Sequence, residues 1–536
     1  MMASPSPKSP EQTEKHRQYD RQLRLWGDHG QLALENGHVC LINATALGTE
    51  ALKSLVLPGI GYFTIVDDNN VKEEDVGSNF FLESSSIGQS RATEAVRLLL
   101  ELNPAVQGYA VPDSPDQLLK EHPDFFHTFT VVIATAISEK TLIQLSQNLW
   151  DANIPLILCR SVGFLGSLRI QVKEHTIIEA HPDNQPSDLR LDSPFPSLVK
   201  YMEAFDLETM EFKEHAHIPW LVVLYKSLET WRKAHEGRWP LSRREKEQIK
   251  DIIRSGIRKD ENGIPLGEEN FEEALRAVNS SVIQTLLPTD VKDILYDNAC
   301  INLTQKSSPF WILCSALRGF VESEGGGTLP LRGTLPDMTA STHHYVALQN
   351  IYRAKAAADA EAVYRRVQQL VVDLGAESIS EADVKLICKT ASSLCLIRGS
   401  SISEEYQSGS KVVAYIGKHL EEPDPMMLHY VLLRGAEKFH AEQCRAPGDW
   451  EPETDISELK TAVTKLLGEW SCSPLSKDDH VHEMCRYGGS ELHSVSAFMG
   501  GCVAQEVIKL VTRQYIPVNN LFIHEATSSN SATFTL

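Results

Sequence analysis

Apolar and polar residues alternate with two different periods in the first third of the chain. His38–Asn43 (HVCLIN) and Tyr62–Val66 (YFTIV) are short, apolar and rich in β-branched side chains, which indicates two buried strands. Between them, Thr45–Leu57 carries apolar residues at helical spacing, and Pro58 and Gly59 end that helix. This stretch therefore predicts one strand–helix–strand unit, the repeating element of a parallel sheet.

The same pattern is repeated further along the chain, up to residue 180. It predicts helices at Arg91–Leu102 and Lys140–Asp151, and strands at Thr130–Ala134, Pro155–Cys159, Ser167–Lys173 and Thr176–Glu179. Regular alternation of strands and helices is typical of a parallel sheet with helices on both faces. We therefore expect an α/β fold with a doubly wound, mainly parallel sheet.

Polar helices and loops replace this pattern from residue 181 to residue 475, which predicts a large, mostly helical insertion. The α/β pattern returns in residues 476–536, with a helix of small residues at Val495–Thr512 and a strand at Asn520–Ile523. Residues 1–15 are polar and contain three prolines, so they are predicted to form a disordered tail ahead of residues 16–180. The simplest organisation is one α/β domain that is interrupted by the insertion and completed by the last sixty or so residues.

Charge and cysteine content narrow the class of protein. Lys and Arg number 51 against 72 Asp and Glu, a net charge of −21, and this field repels nucleic acid and anionic membrane surfaces. The ten cysteines include no C-x-x-C pair, and no apolar run reaches the roughly 20 residues of a spanning helix. We expect a soluble protein of the cytosol or nucleus, without a signal peptide.

The unit at residues 38–67 has the layout of a nucleotide site: a strand, a turn that opens a helix, and an acid after the second strand. Where G-x-G-x-x-G is expected, the sequence has Asn43, Ala44, Thr45, Ala46, Leu47 and Gly48. Only the last glycine is present, although Asp67 stands where a ribose-binding acid belongs. The unit is either a working phosphate cradle or a fold kept for packing, and the loss of two glycines favours the second interpretation.

Three motifs, taken together and in this order, resemble the ubiquitin-like-protein activating enzymes, a family with a Rossmann-like adenylation fold. Tyr19–Gly27 (YDRQLRLWG) resembles the opening motif of that family, and Cys40–Asp67 resembles the core of its adenylation domain. Gly500–Lys509 (GGCVAQEVIK) is similar to its C-terminal helix. The large insertion resembles the neddylation branch of the family rather than the SUMO branch, whose corresponding chain is much shorter.

The departures from the family pattern all concern ATP. Active members hold ATP with an Asn-Arg-Gln segment, but Gly77 and Ser78 stand in the Asn and Arg places, and Ile133–Ala136 offers no metal-binding carboxylate. The family's zinc motif and nucleophilic cysteine segment are missing as well. Cys300, Cys314 and Cys485 are the nearest candidates for a nucleophile, but each is more typical of a buried or inert thiol. His480, His482, Glu483 and Cys485 imitate a metal cluster, but their spacing fits no defined zinc site and is more typical of structural or solvated positions.

The resemblance implies the degenerate half of a heterodimer, whose catalytic partner adenylates a ubiquitin-like modifier with ATP and Mg²⁺ and serves a conjugating enzyme. It also implies that Arg21 reaches the ATP of the partner, with Arg24 as a second possibility, whereas a surface ion pair with Asp20 is the simpler interpretation. No cofactor is expected in this chain. Two alternatives stay open, an adenylating enzyme complete in one chain and a pure interaction scaffold.

The loop Gly325–Met338 is long and apolar for a solvated connection. It either packs on its own insertion or contacts the partner subunit, and for the second case the interface residues are predicted to be Leu335, Pro336, Asp337 and Met338. Gly500 and Gly501 pose the same choice between packing within the chain and subunit contact.

Overall fold

The computed structural model describes residues 17–183, 185–422, 425–475 and 477–536. The predicted tail at residues 1–15 lies outside these ranges. The chain divides into two compact units: the first runs up to Ile177 and resumes at Leu396–Leu536, and the second is Ile178–Cys395. Each unit is described separately.

The first unit is built on an eight-stranded sheet, whose strands are β1 (His38–Ile42), β2 (Tyr62–Val66), β3 (Gln107–Val111), β4 (Val131–Thr135), β5 (Leu156–Val162), β6 (Leu165–Gln171), β9 (Leu521–Glu525) and β10 (Asn530–Phe534). Their order across the sheet is β10-β9-β6-β5-β4-β1-β2-β3. Strands β1 to β5 are mutually parallel, and β6, β9 and β10 add antiparallel pairs. The predicted α/β class with a mainly parallel sheet is therefore confirmed. Two further strands, β7 (His175–Ile177) and β8 (Cys395–Ile397), form a separate two-stranded sheet.

Helices cover both faces of this sheet, because alternate residues of each strand point to opposite sides. In β1, Val39 and Leu41 join the core on one face, and Cys40 and Ile42 join the core on the other. The helices of the first unit are Asp20–Glu35, Ala46–Val56, Glu73–Ser78, Arg91–Leu100, Pro115–Glu121, Glu139–Asp151, Lys411–His419, Met427–Gln443, Pro452–Glu469, Asp479–Tyr487 and His493–Thr512.

The helix His493–Thr512 packs closely against Ala46–Val56 in the core of the first unit. A Cβ atom on Gly500 would lie 2.8 Å from Cβ of Glu50 and 2.9 Å from the backbone N of Ala51, so only glycine fits there. Gly501 faces open space. The same helix is long and apolar enough to cross a membrane by length and composition, but half of its apolar window is buried, as in the core helix of a folded domain.

The division between the units differs from the boundary that we placed at residue 475. Three helices of the expected insertion belong to the first unit: Lys411–His419, Met427–Gln443 and Pro452–Glu469. Their apolar faces share one hydrophobic core with Leu165 of β6 and with Leu521 and Ile523 of β9. The sheet therefore buries these helices against its antiparallel edge, and the separate helical unit ends at Cys395.

The second unit is helical and has its own core. Trp220–Ala234 and Glu269–Ser281 pack against each other and contribute many of its buried apolar residues, which include Trp231 and Phe271. The longest helix has 33 residues and ends at Gly375, whose positive φ of 62° suits glycine at a helix end. The helices are Pro196–Glu203, Phe212–His215, Trp220–Ala234, Arg243–Gly256, Glu269–Ser281, Thr289–Leu295, Asn298–Ile301, Pro309–Glu322, Thr342–Leu374 and Glu381–Thr390.

Candidate functional site

The predicted nucleotide turn lies at the carboxyl end of β1, where the chain enters the helix Ala46–Val56. In the sheet β1 is flanked by β4 on one side and β2 on the other, and the connections leave in opposite directions from this point. Open α/β sheets bind their ligands at such a switch point. The position is therefore the right one for a nucleotide, and its residues decide whether a nucleotide fits.

Asn43 occupies the place of the first expected glycine and keeps the backbone conformation that glycine would adopt. Its φ is +65°, in the left-handed region that asparagine tolerates better than most residues. The side chain fills the turn, since Nδ2 donates to the carbonyl oxygens of Thr135 at 2.9 Å and Ala136 at 3.1 Å. The shape of the turn is thus preserved while the space next to it is occupied.

Three backbone N–H groups of the turn, those of Ala44, Ala46 and Gly48, are bound by side chains of the same chain. Ala44 N–H donates to Oδ2 of Asp67 at 2.8 Å, and Ala46 N–H donates to Oε2 of Glu491 at 2.9 Å. Gly48 N–H donates to Oγ1 of Thr45 at 3.3 Å, as in an ordinary helix cap. These are the groups that would cradle a phosphate at a helix N-terminus.

Glu491 therefore places a carboxylate where a bound phosphate would lie. Burial raises the pKa of Glu491, and hydrogen bonds from Ala46 and Leu47 N–H act in the opposite direction. Sequence reasoning missed this residue. It is 445 positions away from Ala46, and the only signal for it is its place directly ahead of the helix that carries the GGCVAQEVIK motif.

Asp67, the predicted ribose acid, is fully buried and already bound. Besides Ala44, its carboxylate accepts the N–H of Asn69 at 3.0 Å and Nε of Arg91 at 2.6 Å. Arg91 also contacts Oδ1 of Asp75 at 3.4 Å. Sequence reasoning did not identify Arg91, whose position as the first residue of the helix Arg91–Leu100 carries no motif of its own. The Nδ2 group of Asn69 also donates to Oδ1 of Asp67, at 2.9 Å, so four hydrogen bonds occupy the carboxylate and leave no acceptor position for a ribose hydroxyl.

Neither the phosphate clamp nor the metal position of an active site is present. Gly77 and Ser78 end a short helix, and a Cβ on Gly77 would meet no atom within 4 Å. At the end of β4, Thr135 donates from Oγ1 to the carbonyl oxygen of Asn43 at 2.8 Å, and the next residue is Ala136. Over the described ranges, no group of three or more His, Cys, Asp or Glu could hold a metal ion. The residues of this turn do not fit ATP with Mg²⁺.

The cysteines proposed as the nearest approach to a nucleophile are buried. Burial raises the pKa of Cys300 to about 11 and that of Cys485 to about 11, and it also raises the pKa of Cys314. A reactive cysteine needs exposure and a lowered pKa. These three thiols therefore have the environment of inert structural residues.

The two arginines of the N-terminal motif lie on the helix Asp20–Glu35 and differ in their contacts. Arg24 forms the ion pair with Asp20, at 3.0 Å. Arg21 is exposed and has no ion-pair partner among the residues described. The surface pair expected for Arg21 is thus made by its neighbour one turn further along, and the Arg21 guanidinium faces solvent.

The loop Gly325–Met338 packs on the second unit along its first half. Leu329 and Leu331 are buried, and Leu331 N–H donates to Oδ2 of Asp359 at 3.1 Å. The predicted interface residues follow: Leu335 and Met338 are partly buried against the core of this unit, Pro336 is partly buried, and Asp337 is exposed.

The fold and this turn define a nucleotide-type α/β domain whose phosphate site is filled by its own side chains. The model of the ThiF family matches residues 19–536. The NEDD8-activating enzyme E1 regulatory subunit of Xenopus laevis is 50% identical over 526 residues, which are 97% of this chain and 99% of that protein. The regulatory subunit of Drosophila melanogaster is 46% identical, over 100% of this chain and 100% of that protein. The one of Caenorhabditis elegans is 35% identical, over 96% of this chain and 98% of that protein.

The chain therefore belongs to the ThiF family and, within it, to the family of NEDD8-activating enzyme E1 regulatory subunits. The resemblance to the neddylation branch that the three motifs indicated is confirmed.

Proposed function

We propose that this chain is the regulatory subunit of a NEDD8-activating enzyme and that it binds no ATP itself. In this proposal a catalytic subunit pairs with it, holds ATP and Mg²⁺, and adenylates the C-terminus of NEDD8. The same partner then forms the thioester and passes NEDD8 to a conjugating enzyme. Buried thiols such as those of Cys300, Cys314 and Cys485 fit a reducing compartment, the cytosol or the nucleus.

One observation carries the absence of nucleotide binding: the N–H groups of the turn are already hydrogen-bonded within the chain. A phosphate would have to displace the carboxylates of Asp67 and Glu491 from Ala44 and Ala46, at 2.8 and 2.9 Å. It would then meet no arginine in the clamp position, because Gly77 and Ser78 stand there. Removing the existing bonds leaves buried groups unpaired, which costs about 1–3 kcal/mol for each group.

The contribution to catalysis that we propose is a charge supplied by Arg21 to the ATP of the partner. Two features support it. The Arg21 side chain is exposed and unpaired within the described residues, and Arg24 takes up the nearby carboxylate of Asp20. A guanidinium placed against phosphates stabilises the charge that develops in the transition state.

We also propose that the loop segment Leu335–Met338 contacts the catalytic subunit. Asp337 is exposed, and Leu335 and Met338 leave part of their apolar surface uncovered beside their own core. The preceding residues Leu329 and Leu331 are buried in the second unit, so they hold the start of the segment in place.

Nucleotide binding and exchange test the proposal. The full chain alone, titrated with ATP and Mg²⁺ in a calorimeter, is expected to bind no nucleotide, and the pair is expected to bind it. Exchange of pyrophosphate into ATP is expected only when both chains and NEDD8 are present. Exchange by the chain alone would establish a self-sufficient enzyme, and full activity of a pair with Arg21→Ala would establish a scaffold.

A further inference from the structure

A cavity of about 220 Å³ lies within the second unit. Its walls come mainly from three segments, residues 185–191, residues 281–288 and residues 329–332 at the start of the loop Gly325–Met338. Pockets that enclose a whole small ligand start at roughly 300 Å³. This cavity is smaller than that, so it suits one amino-acid residue rather than a whole metabolite.

The floor of the cavity is apolar, and its apolar surface continues outwards at the rim. Leu189, Leu191 and Leu329 line the floor and are buried. At the rim, Leu286 is 74% exposed and Ile283 is 38% exposed. An apolar side chain that entered the cavity would cover both surfaces, and burial of apolar surface is favourable.

Arg332 brings a positive charge to this cavity without an ion-pair partner among the residues described. Its side chain is half-buried and lines the cavity, and Nη2 donates to the carbonyl oxygen of Pro186 at 3.2 Å. Nε and Nη1 bind no described residue, and both keep accessible surface. Burial lowers the pKa of Arg332, although the nearby Asp188 acts in the opposite direction. The guanidinium is therefore partly desolvated and still has donors to offer.

The charges that line the cavity leave this guanidinium uncompensated. Asp188 is the one carboxylate in the lining, and it already accepts from Nε and Nη2 of Arg190 at 2.8 and 3.0 Å. Asp192 accepts from the N–H and the hydroxyl of Thr285 at 2.7 and 2.8 Å, and it does not line the cavity. Two guanidinium groups and one carboxylate line the cavity, so an added anion at Arg332 would balance the charge.

We propose that this cavity binds the C-terminal residue of a partner polypeptide, with its apolar side chain on Leu189 and Leu329 and its terminal carboxylate at Arg332. A space for one residue must receive the apolar group and the anion from that same residue. Among the residues of a peptide, a C-terminal apolar residue carries both, and proteins are known to capture such carboxylates. A carboxylate that meets a guanidinium forms a strong, charge-assisted hydrogen bond, which a terminal amide does not.

This site goes beyond the proposed function and is independent of it. The second unit alone supplies the lining, so binding requires neither ATP nor a catalytic subunit. The segment Leu335–Met338, which we propose to contact the catalytic subunit, contributes no residue to the lining.

The test uses the peptide acetyl-Ala-Ala-Ala-Leu with a free carboxylate and the same peptide with a terminal amide. Binding of each to the full chain is measured by ligand-detected NMR and by calorimetry, without nucleotide. The free acid is expected to bind in the millimolar range or more tightly, and at least tenfold more tightly than the amide. Equal affinities, or no binding of the acid, would overturn the proposal.

Two further peptides separate a C-terminal residue from any other carboxylate. Acetyl-Ala-Ala-Ala-Gly keeps the terminal carboxylate but lacks the apolar side chain. Acetyl-Ala-Leu-Glu-Ala with a terminal amide carries its carboxylate within the chain. Both are expected to bind at least tenfold more weakly than acetyl-Ala-Ala-Ala-Leu. Equal binding of either peptide would show that the cavity does not recognise an apolar C-terminal residue.

Variants with matched controls locate the site. Arg332→Gln is expected to weaken binding of the free acid at least tenfold, whereas Arg244→Gln, at an exposed arginine outside the lining, should leave it unchanged. Leu286→Glu adds a repelling carboxylate at the rim and should weaken binding as well. Its control is Leu241→Glu, because Leu241 is 73% exposed and does not line the cavity. If Arg332→Gln does not fold, this second pair decides, and unchanged binding in Leu286→Glu would place the peptide elsewhere and refute the proposal.

Discussion

The turn at Asn43–Gly48 and the surface of the helix Asp20–Glu35 lie in the same unit and use their polar groups in opposite ways. In the turn, Asp67, Thr45 and Glu491 satisfy the N–H groups that a nucleotide would need. On the helix, Arg21 is exposed and unpaired within the described residues. The first region is closed to ligands by internal hydrogen bonds, and the second keeps a charge available to another chain.

The difference shows how a nucleotide-type fold can keep its turn while its own side chains fill the site. The turn retains its geometry, including the left-handed residue at Asn43, because the strand, helix and sheet around it depend on that geometry. Once internal carboxylates satisfy the amides, the fold no longer needs a ligand there. A charge that points outwards has no such structural role, and in our proposal it serves the ATP of the partner.

Replacement of Arg21 is expected to change activity more than any other substitution discussed below. If it changed activity little, the contrast between the closed turn and the exposed arginine would have no functional meaning. In the pair with the catalytic subunit, Arg21→Ala is expected to lower the rate of pyrophosphate exchange roughly 100-fold, because one donor to the transition state is typically worth that much. The matched control is Arg24→Ala, which removes only the surface ion pair with Asp20 and should change the rate less than about twofold. Equal effects of the two variants would contradict the role of Arg21.

Gly500 and Gly501 sharpen the comparison, since one faces the interior and the other faces outwards. Gly500→Ala brings a methyl group 2.8 Å from Cβ of Glu50, so a loss of about 1–3 kcal/mol in the free energy of unfolding is expected. Gly501→Ala meets no atom and should raise helix stability by up to about 1 kcal/mol. Urea unfolding of the chain measures both. A destabilising Gly501→Ala would show that its surface is in use within the chain.

Local patterns were sufficient for the part of the fold in which neighbouring residues determine structure. The unit from β1 to β2 could be predicted because short apolar strands are separated by the breakers Pro58 and Gly59. Strand β3 was missed: QGYAV contains polar and small residues, and the strand is half exposed at the edge of the sheet, where it pairs only with β2. The boundary at residue 475 was misplaced because the packing of Met427–Gln443 on β6 and β9 depends on contacts distant in sequence.

The residues of the candidate site also fall into two groups, those that the sequence could locate and those that only the fold reveals. Asn43, Ala44, Gly48 and Asp67 could be located from the sequence because a nucleotide turn has fixed spacing. Glu491, which closes the site, has no local signature, since its partner Ala46 lies 445 positions away. A sequence pattern can reveal that glycines are missing, but only the fold reveals which side chains replace the ligand.

Substitution of Asn43 tests whether the turn depends on its left-handed conformation. Asn43→Ala and Asn43→Gly both remove the hydrogen bonds to Thr135 and Ala136, but only alanine pays the steric cost of φ +65°. The alanine variant is expected to be less stable than the glycine variant by about 1 kcal/mol, after allowance for the greater chain entropy of glycine. The urea midpoints of the two variants provide the measurement, and equal midpoints would show that the turn relaxes.

Substitution of Glu491 is expected to give the smallest change in stability, and its pH dependence makes it the most specific test. Burial holds the pKa of Glu491 above its ordinary value of 4.5, so the folded chain binds this proton more tightly than the unfolded chain does. Its contribution to stability is therefore fully present below pH 4.5 and is lost as the pH rises through the folded pKa. Glu491→Gln removes the titration and keeps an acceptor for Ala46 N–H, so the wild-type chain should lose stability relative to this variant between pH 4.5 and neutrality. Urea unfolding of both chains across that range measures the difference. The opposite result would be a wild-type chain that gains stability relative to Glu491→Gln towards neutral pH. It would mean that the N–H groups of the turn stabilise the ionised carboxylate more than burial destabilises it, as they would stabilise a bound phosphate.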